Sequence, residues 1–203
     1  MTARRGAAAP LQAYVLHHYD WSESSLILEL FTRERGRLAV AAKGAKRPYS
    51  QLRVVLLPFQ RLYVSLGRGA DEQGAEVQTL RAAEWAGGMP MPSGGALFPG
   101  FYLNELLLRL LARQDPHPQL FDAYAQVLPA LSEPDEAQAQ AALRAFELTL
   151  LREIGVLPDL SGVTLTLQPL RPDAPYMLRP EVGVAAASTE PSPFTGEQLV
   201  ALQ

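Results

Sequence analysis

The chain has 203 residues, of which 48% are hydrophobic and 19% charged, and it has no cysteine. This composition is typical of a globular protein of one or two domains, and it excludes disulfide bonds and thiolate zinc sites. No stretch reaches the ~18 apolar residues of a membrane span, and none has the form of a signal peptide. We therefore expect a soluble, cytoplasmic protein.

The net charge of −3 hides an asymmetry along the chain. Between positions 33 and 68 there are nine basic residues and one acid, a net +8, whereas the remainder has nine basic and 20 acidic residues, a net −11. A concentrated basic segment on an otherwise acidic protein favours a polyanion as partner. The nine residues are Arg33, Arg35, Arg37, Lys43, Lys46, Arg47, Arg53, Arg61 and Arg68.

Residues 11–85 contain strand-like runs separated by turn signals: LQAYVLHH, SLILELF, RLAVAAK, RVVLLPFQRLYVSL and EVQTLRAAEW. The second run is apolar on nearly both faces, as in the wall of a small barrel. Gly36 ends the TRERG turn, where a hairpin between the second and third strands needs a positive φ. Pro58 interrupts the fourth run and predicts a bulge or bend. The pattern favours a five-stranded OB-fold barrel over a sandwich.

After Trp85 the period becomes helical. GGMPMPSGG predicts a linker, and FPGFYLNELLLRLLAR has apolar residues at 103, 106, 107, 110 and 111, a wide helical stripe. HPQLFDAYAQVLPAL predicts a second helix. DEAQAQAALRAFELTLLREIG predicts a third, which Gly155 caps. Its expected buried face is Leu143, Phe146, Leu150, Leu151 and Ile154.

Beyond Leu160 the pattern is weaker, with a strand-like VTLTL, many prolines and a helical start in FTGEQLVALQ. The predicted fold is α+β. It has an OB-fold domain over 1–85, a linker over 86–94, and a mainly helical second domain over 95–203 with an irregular region over 158–193.

The basic segment supplies the candidate DNA-binding residues. The strongest are Arg37, Lys43, Lys46 and Arg47, on the third strand and the following loop, where Gly44 allows the backbone to approach a phosphate closely. A solvated surface explains any single residue equally well, but crowding of like charges favours neutralisation by phosphates. The full set is Arg33, Arg35, Arg37, Lys43, Lys46, Arg47, Tyr49 and Arg53.

Aromatic residues in the same domain could stack on bases. Tyr14, Tyr19 and Trp21 are available. Core packing is the better interpretation for Phe59 and Tyr63. Tyr49, in a polar loop, is the better stacking candidate.

No motif points to catalysis, a metal or a cofactor. His17 and His18 alternate faces of a strand, HExxH and GxxxxGK[ST] are missing, and GRGADEQG lacks the following helix of a dinucleotide loop. We predict a protein that is not an enzyme. On the first long helix, Arg109 and Arg113 could border a groove for an acidic peptide tail, or could form surface ion pairs with Glu105.

Several segments resemble the bacterial RecO family of recombination mediators: AYVLHHYDWSESSLILELFTRERGRLAVAAKGAKRP, LPFQRLYVSLGRG, EVQTLRAAEW, GFYLNELLLRLL, LRAFELTLLREIG and FTGEQLVAL. They follow the family's order and spacing from Ala13 to about Asp159 and again over the last ten residues. The resemblance implies an OB-fold and a helical middle. It also implies a nucleoid-associated protein that binds single- and double-stranded DNA and promotes strand annealing. Its partners would be RecR and the tail of single-stranded DNA-binding protein, with which it loads recombinase.

Two features differ from relatives. Some relatives have a zinc ribbon of paired CxxC motifs where this chain runs from about Asp159 to Pro191, and here no cysteine exists to bind zinc. Relatives also usually continue into further helix after the segment similar to FTGEQLVAL. From the residues alone, an adaptor whose barrel binds an acidic protein partner instead of DNA stays open as the alternative.

Overall fold

The computed structural model describes residues 9–67, 76–87, 92, 94–133, 135–187 and 194–203. The chain forms two compact units, Met1–Phe146 and Glu147–Gln203. The predicted division at 86–94 stays a prediction. Within the described residues, no helix is both long and apolar enough to cross a membrane.

The first unit contains five strands, β1 (Leu11–Asp20), β2 (Leu26–Thr32), β3 (Gly36–Ala42), β4 (Leu62–Leu66) and β5 (Val77–Trp85). They form a closed barrel with strand order β1-β2-β3-β5-β4. Strands β3 and β5 pair in parallel, and the other neighbours are antiparallel. The interior is apolar, with Val15, Leu28, Leu30, Val40 and Leu62 fully buried. The predicted OB-like barrel is thus confirmed.

The β2–β3 hairpin forms as predicted, and Gly36 has a φ of 67°. The hydroxyl of Thr32 donates to the Gly36 carbonyl at 2.7 Å, which closes the turn. No other residue type adopts this φ at so little cost.

The strand predicted in RVVLLPFQRLYVSL is wrong in its first half and correct in its second half. Helix α1 (Gln51–Val55) lies in the first half, and β4 begins only at Leu62. Leu52, Val55 and Leu56, at i, i+3 and i+4, pack against the barrel core. The valines favour a strand locally, but burial of this helical stripe overrides that preference. The expected bend is present, since Phe59 follows Pro58 with a φ of 65°.

Helices α2 (Leu97–Leu110) and α3 (Pro118–Ala130) belong to the same unit as the barrel. On the outer face of β1 and β2, the Tyr14 ring lies 4.9 Å from that of Tyr124, and the Phe31 ring lies 5.4 Å from that of Phe121. The buried stripe of α2 is narrower than predicted. Leu110 is 44% exposed, whereas Leu103, Leu107 and Leu111 are buried.

Helix α4 (Glu136–Glu153) begins after Asp135, whose carboxylate accepts the Ala137 amide at 2.9 Å. Leu143, Phe146 and Leu150 of its predicted face are buried, and Leu151 and Ile154 are half-buried. Gly155 follows the helix with a φ of 74°, as expected of a C-terminal cap.

The second unit contains β6 (Pro175–Arg179), β7 (Gly183–Ala186) and β8 (Phe194–Thr195) in the order β7-β6-β8. Helix α5 (Gly196–Ala201) follows, with a capping box between Thr195 and Gln198. The small core is Leu160, Tyr176, Val184 and Leu199. The helix predicted in FTGEQLVALQ is therefore confirmed.

The predicted VTLTL strand is wrong. Residues 164–166 form a turn, and Leu165 and Leu167 are 79% and 85% exposed. A strand pattern needs a partner and a buried face to be realised, and this segment has neither a named strand partner nor a buried face within the described residues.

Candidate nucleic-acid interface

The basic residues predicted to bind DNA fall into two groups in the structure. Arg33, Arg37 and Lys46 each lie against an acid. Lys43, Arg47 and Arg53 are exposed and form no ion pair with any residue in the described part of the chain. The tertiary structure therefore neutralises part of the basic segment and leaves the rest accessible.

Arg33, in the β2–β3 turn, forms a bidentate pair with Asp122 of α3. Its Nε and Nη2 atoms donate to the two carboxylate oxygens at 2.9 and 2.8 Å. This hydrogen bond raises the pKa of Arg33 and lowers the pKa of Asp122. Arg35, in the same turn, donates to the Gln78 side chain at 3.4 Å. The pair between Arg33 and Asp122 joins the turn to α3 and balances the arginine charge.

Glu29 is a buried carboxylate between two arginines. Its side chain is 5% exposed, its Oε2 lies 3.8 Å from Nη1 of Arg37, and its Oε1 accepts a hydrogen bond from Arg113. The Arg37 side chain is itself only 17% exposed. The guanidinium of Arg37, one of the four strongest candidates for phosphate binding, thus faces a buried acid, and its contact with DNA stays a prediction.

Lys46 joins two loops at one end of the barrel. Its Nζ lies 2.9 Å from a carboxylate oxygen of Asp20 and 3.3 Å from the Ser22 carbonyl, and its amide donates to the Ser24 carbonyl at 3.0 Å. The loop after β3 is therefore fastened to the loop between β1 and β2. Gly44 has a φ of 74°, which allows the tight turn that this docking requires.

This docking places the loop that carries exposed cations against the segment that carries two exposed rings. Tyr19 is 51% exposed and Trp21 57% exposed, at the end of β1 and in the next loop. Lys43 and Arg47 are exposed on the docked loop, and Tyr49 is 97% exposed. We call Tyr19, Trp21, Lys43, Arg47 and Tyr49 the barrel-end surface. Arg53 is exposed on the adjoining helix α1.

The other aromatic candidates have different environments. Tyr14 is 4% exposed, and burial raises its pKa. Phe59 is 6% exposed against Phe101, so its core assignment is confirmed. Tyr63 is 44% exposed, so its core assignment is wrong. It lies on the outer face of β4, between the inward-facing Leu62 and Val64.

The sequence did not reveal a cavity of about 270 Å³ between the barrel and α3. Tyr14, Phe59 and Tyr63 line it on the barrel side, and Leu128 and Pro129 on the helix side. Arg61 is its charged group, with its guanidinium 5.8 Å from the centre of the Phe121 ring. These residues come from distant segments, so no local sequence signal could have found the site.

The arginines of the α2 region are both paired. Arg109 lies 2.7 Å from Glu105 as an exposed pair one helical turn apart, which was one of the two interpretations of the sequence. Arg113 contacts Glu29 and lies 3.8 Å from Glu76. In the described part of the chain, no three His, Asp or Glu side chains come together as a metal site.

The comparisons with known proteins decide the family. A family model described as recombination protein O, N terminal, matches residues 9–89, and one described as recombination protein O, C terminal, matches residues 93–174. The chain belongs to the RecO family. The N-terminal match includes the barrel and the whole barrel-end surface, and the C-terminal match includes α2, α3 and α4.

Curated relatives extend the match over nearly the whole chain. A "DNA repair protein RecO" of Variovorax paradoxus is 58% identical over 196 residues, which cover 94% of this chain and 74% of the relative. The proteins of the same name from Verminephrobacter eiseniae and Acidovorax ebreus are each 54% identical to this chain. The first match covers 99% of this chain and 78% of the relative, and the second covers 100% of this chain and 79% of the relative. This RecO family member therefore has a role in DNA repair.

Proposed function

We propose that this RecO family member binds single-stranded DNA at the barrel-end surface, without catalysing a reaction. The observation that carries the proposal is that Lys46, on the loop with the exposed cations, contacts Asp20, the residue between the exposed rings of Tyr19 and Trp21. Rings stack on any base and cations bind phosphates, so binding of this kind has little sequence preference.

The electrostatics support the same location. A cation that already has a buried or bidentate carboxylate partner releases little further energy on contact with a phosphate. Lys43 and Arg47 have no such partner among the described residues and lie in solvent, where a phosphate can replace their counterions. Arg53 of α1 extends the exposed charge from this surface.

Strand annealing and duplex binding follow from the phosphate contacts. Neutralising the phosphates of two complementary strands lowers their repulsion and lets them pair, and a duplex offers the same phosphates with its bases already stacked. We propose that duplex DNA binds through Lys43 and Arg47 alone and that stacking on Tyr19 and Trp21 favours the single strand. Such a mediator would work at the nucleoid and needs no cofactor.

For the protein partners, we propose that the Arg61 cavity receives the tail of single-stranded DNA-binding protein. The cavity combines apolar walls with one guanidinium, which suits an apolar side chain next to a carboxylate. The paired states of Arg109 and Arg113 make those arginines weaker candidates for this contact. RecR remains the proposed second partner in loading recombinase.

Fluorescence anisotropy with labelled homopolymer and mixed oligonucleotides tests the DNA proposal. The double variant Tyr19→Ala/Trp21→Ala should weaken single-strand binding by about 2 kcal/mol or more, because each stacked base contributes ~1–3 kcal/mol. The salt dependence of its DNA binding and its affinity for duplex DNA should match those of the parent protein. Trp85→Ala, at another exposed ring (61%), is the control and should change neither affinity.

The alternative is an adaptor whose barrel binds an acidic protein. If the parent binds no oligonucleotide at low salt but binds an acidic peptide at the same surface, the adaptor is correct and the DNA proposal is wrong.

A further inference from the structure

Strand β1 contains a bulge in its middle. Val15 pairs with Leu30 of β2, but the next paired residue, His17, lies opposite Glu29. Two residues on β1 therefore advance the register by one residue on β2, and Leu16 is the inserted residue. A residue inserted in this way is left without its ladder partner.

The bulge reverses which residues of β1 face outward. Ala13 and Val15 belong to the barrel core, so strict alternation would also turn position 19 inward. After the bulge, Tyr19 lies opposite Ile27. Because Leu28 belongs to the core, Ile27 is on the outer face, and Tyr19 is on that face with it. The one-residue shift thus places Tyr19 on the outside of the barrel.

A buried polar chain holds the bulge. The Leu16 carbonyl accepts a hydrogen bond of 3.0 Å from the side-chain amide of Asn104 in α2. The Asn104 side-chain oxygen accepts in turn from the Tyr124 hydroxyl of α3. Asn104 is 2% exposed and Tyr124 is fully buried. Burial raises the pKa of Tyr124 well above its ordinary value, which keeps the hydroxyl available as a donor.

We propose that Asn104, oriented by Tyr124, is a positioning residue for single-stranded DNA. It stabilises the β1 bulge and thereby holds Tyr19 in its outward, base-stacking orientation. This inference rests on the proposed function, because it assigns to α2 and α3 a part in the site that the barrel presents. Both residues act through the β1 strand, to which Asn104 is hydrogen-bonded at Leu16.

The test is a double-mutant cycle of Asn104→Leu and Tyr19→Ala, read by single-strand affinity. Leucine keeps the branched shape and the number of heavy atoms of the Asn104 side chain and removes the donor. Asn104→Leu alone should weaken binding by about tenfold, close to the effect of Tyr19→Ala, because one stacked base is lost. In the Tyr19→Ala background it should cause no further loss. The salt dependence should be unchanged, since Lys43 and Arg47 stay in place.

Two further variants distinguish positioning from general loss of stability. Leu107→Ala, one turn along α2 and fully buried, damages the same helix without removing the donor, and should leave DNA affinity within about twofold of the parent. Tyr124→Phe removes the hydroxyl that orients Asn104 and should cause an intermediate loss of single-strand affinity. In the Tyr19→Ala background, Tyr124→Phe should cause no further loss.

The outcomes separate the two proposals. If the parent binds DNA and Asn104→Leu binds equally well, or if its loss is undiminished in the Tyr19→Ala background, the positioning role is overturned and the DNA site stands. An equal loss in Leu107→Ala also overturns it. If the parent binds no single-stranded DNA, the proposed function fails and this inference fails with it.

Discussion

Replacing Lys43 and Arg47 with alanine should reduce the salt dependence of DNA binding by a defined amount. Both side chains are exposed on the loop after β3 and have no ion-pair partner among the described residues, so each can contribute one phosphate contact. The slope of log affinity against log salt should then fall by ~0.7 per residue, or ~1.4 for the pair. Between ~50 and ~200 mM salt, this difference changes the ratio of parent to variant affinity about sevenfold.

The structure ranks Lys46 below this pair. Its Nζ already contacts Asp20 at 2.9 Å, and its side chain is 31% exposed. Lys46→Ala should therefore lower the slope by less than ~0.7. Any loss of affinity should come instead from loosening of the loop that it fastens.

The assay is anisotropy of a labelled oligonucleotide at four or more salt concentrations. The control is Arg171→Ala/Arg179→Ala, which removes the same charge from exposed positions of the second unit and should leave the slope alone. The reasoning would be refuted if the Lys43→Ala/Arg47→Ala variant kept the affinity and slope of the parent while the control variant lost DNA binding. The DNA surface would then lie in the second unit.

Three stability predictions and one on metal content follow from other contacts. Gly36→Ala should lower the free energy of unfolding by more than about 2 kcal/mol, because a Cβ at this φ of 67° would collide with the Asp115 backbone. Arg113→Ala should lower the free energy of unfolding by at least ~2 kcal/mol, because the buried Glu29 is then left with only the 3.8 Å contact to Arg37. Urea denaturation measures both.

Asp122→Asn should reduce stability above pH 5 and progressively less below it. The folded pKa of Asp122 lies below its ordinary 3.8, so its stabilising effect is complete above that value and disappears as pH falls through the folded pKa. Elemental analysis should find no stoichiometric zinc, because the chain has no thiolate.

Matched controls make these outcomes interpretable. Gly87→Ala, with a φ of 74° and nothing within 4 Å of an added Cβ, should cost only the ~1 kcal/mol of the backbone strain. Arg109→Ala, in an exposed helical pair, should cost about 0.5 kcal/mol or less. Equal losses in Gly36→Ala and Gly87→Ala, or in the two arginine variants, would contradict the packing arguments. A pH-independent effect of Asp122→Asn, or one zinc per chain, would contradict the others.

Local patterns were sufficient for most elements of this fold. Apolar runs separated by turn signals identified β1, β2, β3 and β5, and the helical periods identified α2, α3 and α4. Gly36 marked its turn correctly because a positive φ is a requirement of one residue and its neighbours. Such signals depend on a few consecutive residues, so the sequence carries them directly.

Where two local preferences compete, the sequence was misleading. Valines favoured a strand over positions 53–55, and burial of Leu52, Val55 and Leu56 against the barrel made a helix there instead. VTLTL had strand composition but formed no strand. Whether such a segment becomes helix, strand or turn depends on the surface against which it packs.

The sequence by itself determined that the first domain is a barrel carrying a concentrated positive charge, and its family resemblance was confirmed. Only the tertiary structure decided which charges stay accessible. Arg33 meets an acid 89 residues away, and Arg113 meets one 84 residues away. Likewise, only the register of β1 on β2 shows that Tyr19 faces outward. Charge and periodicity are properties of neighbouring residues, whereas ion pairing and strand register are set by segments that meet only when the chain has folded.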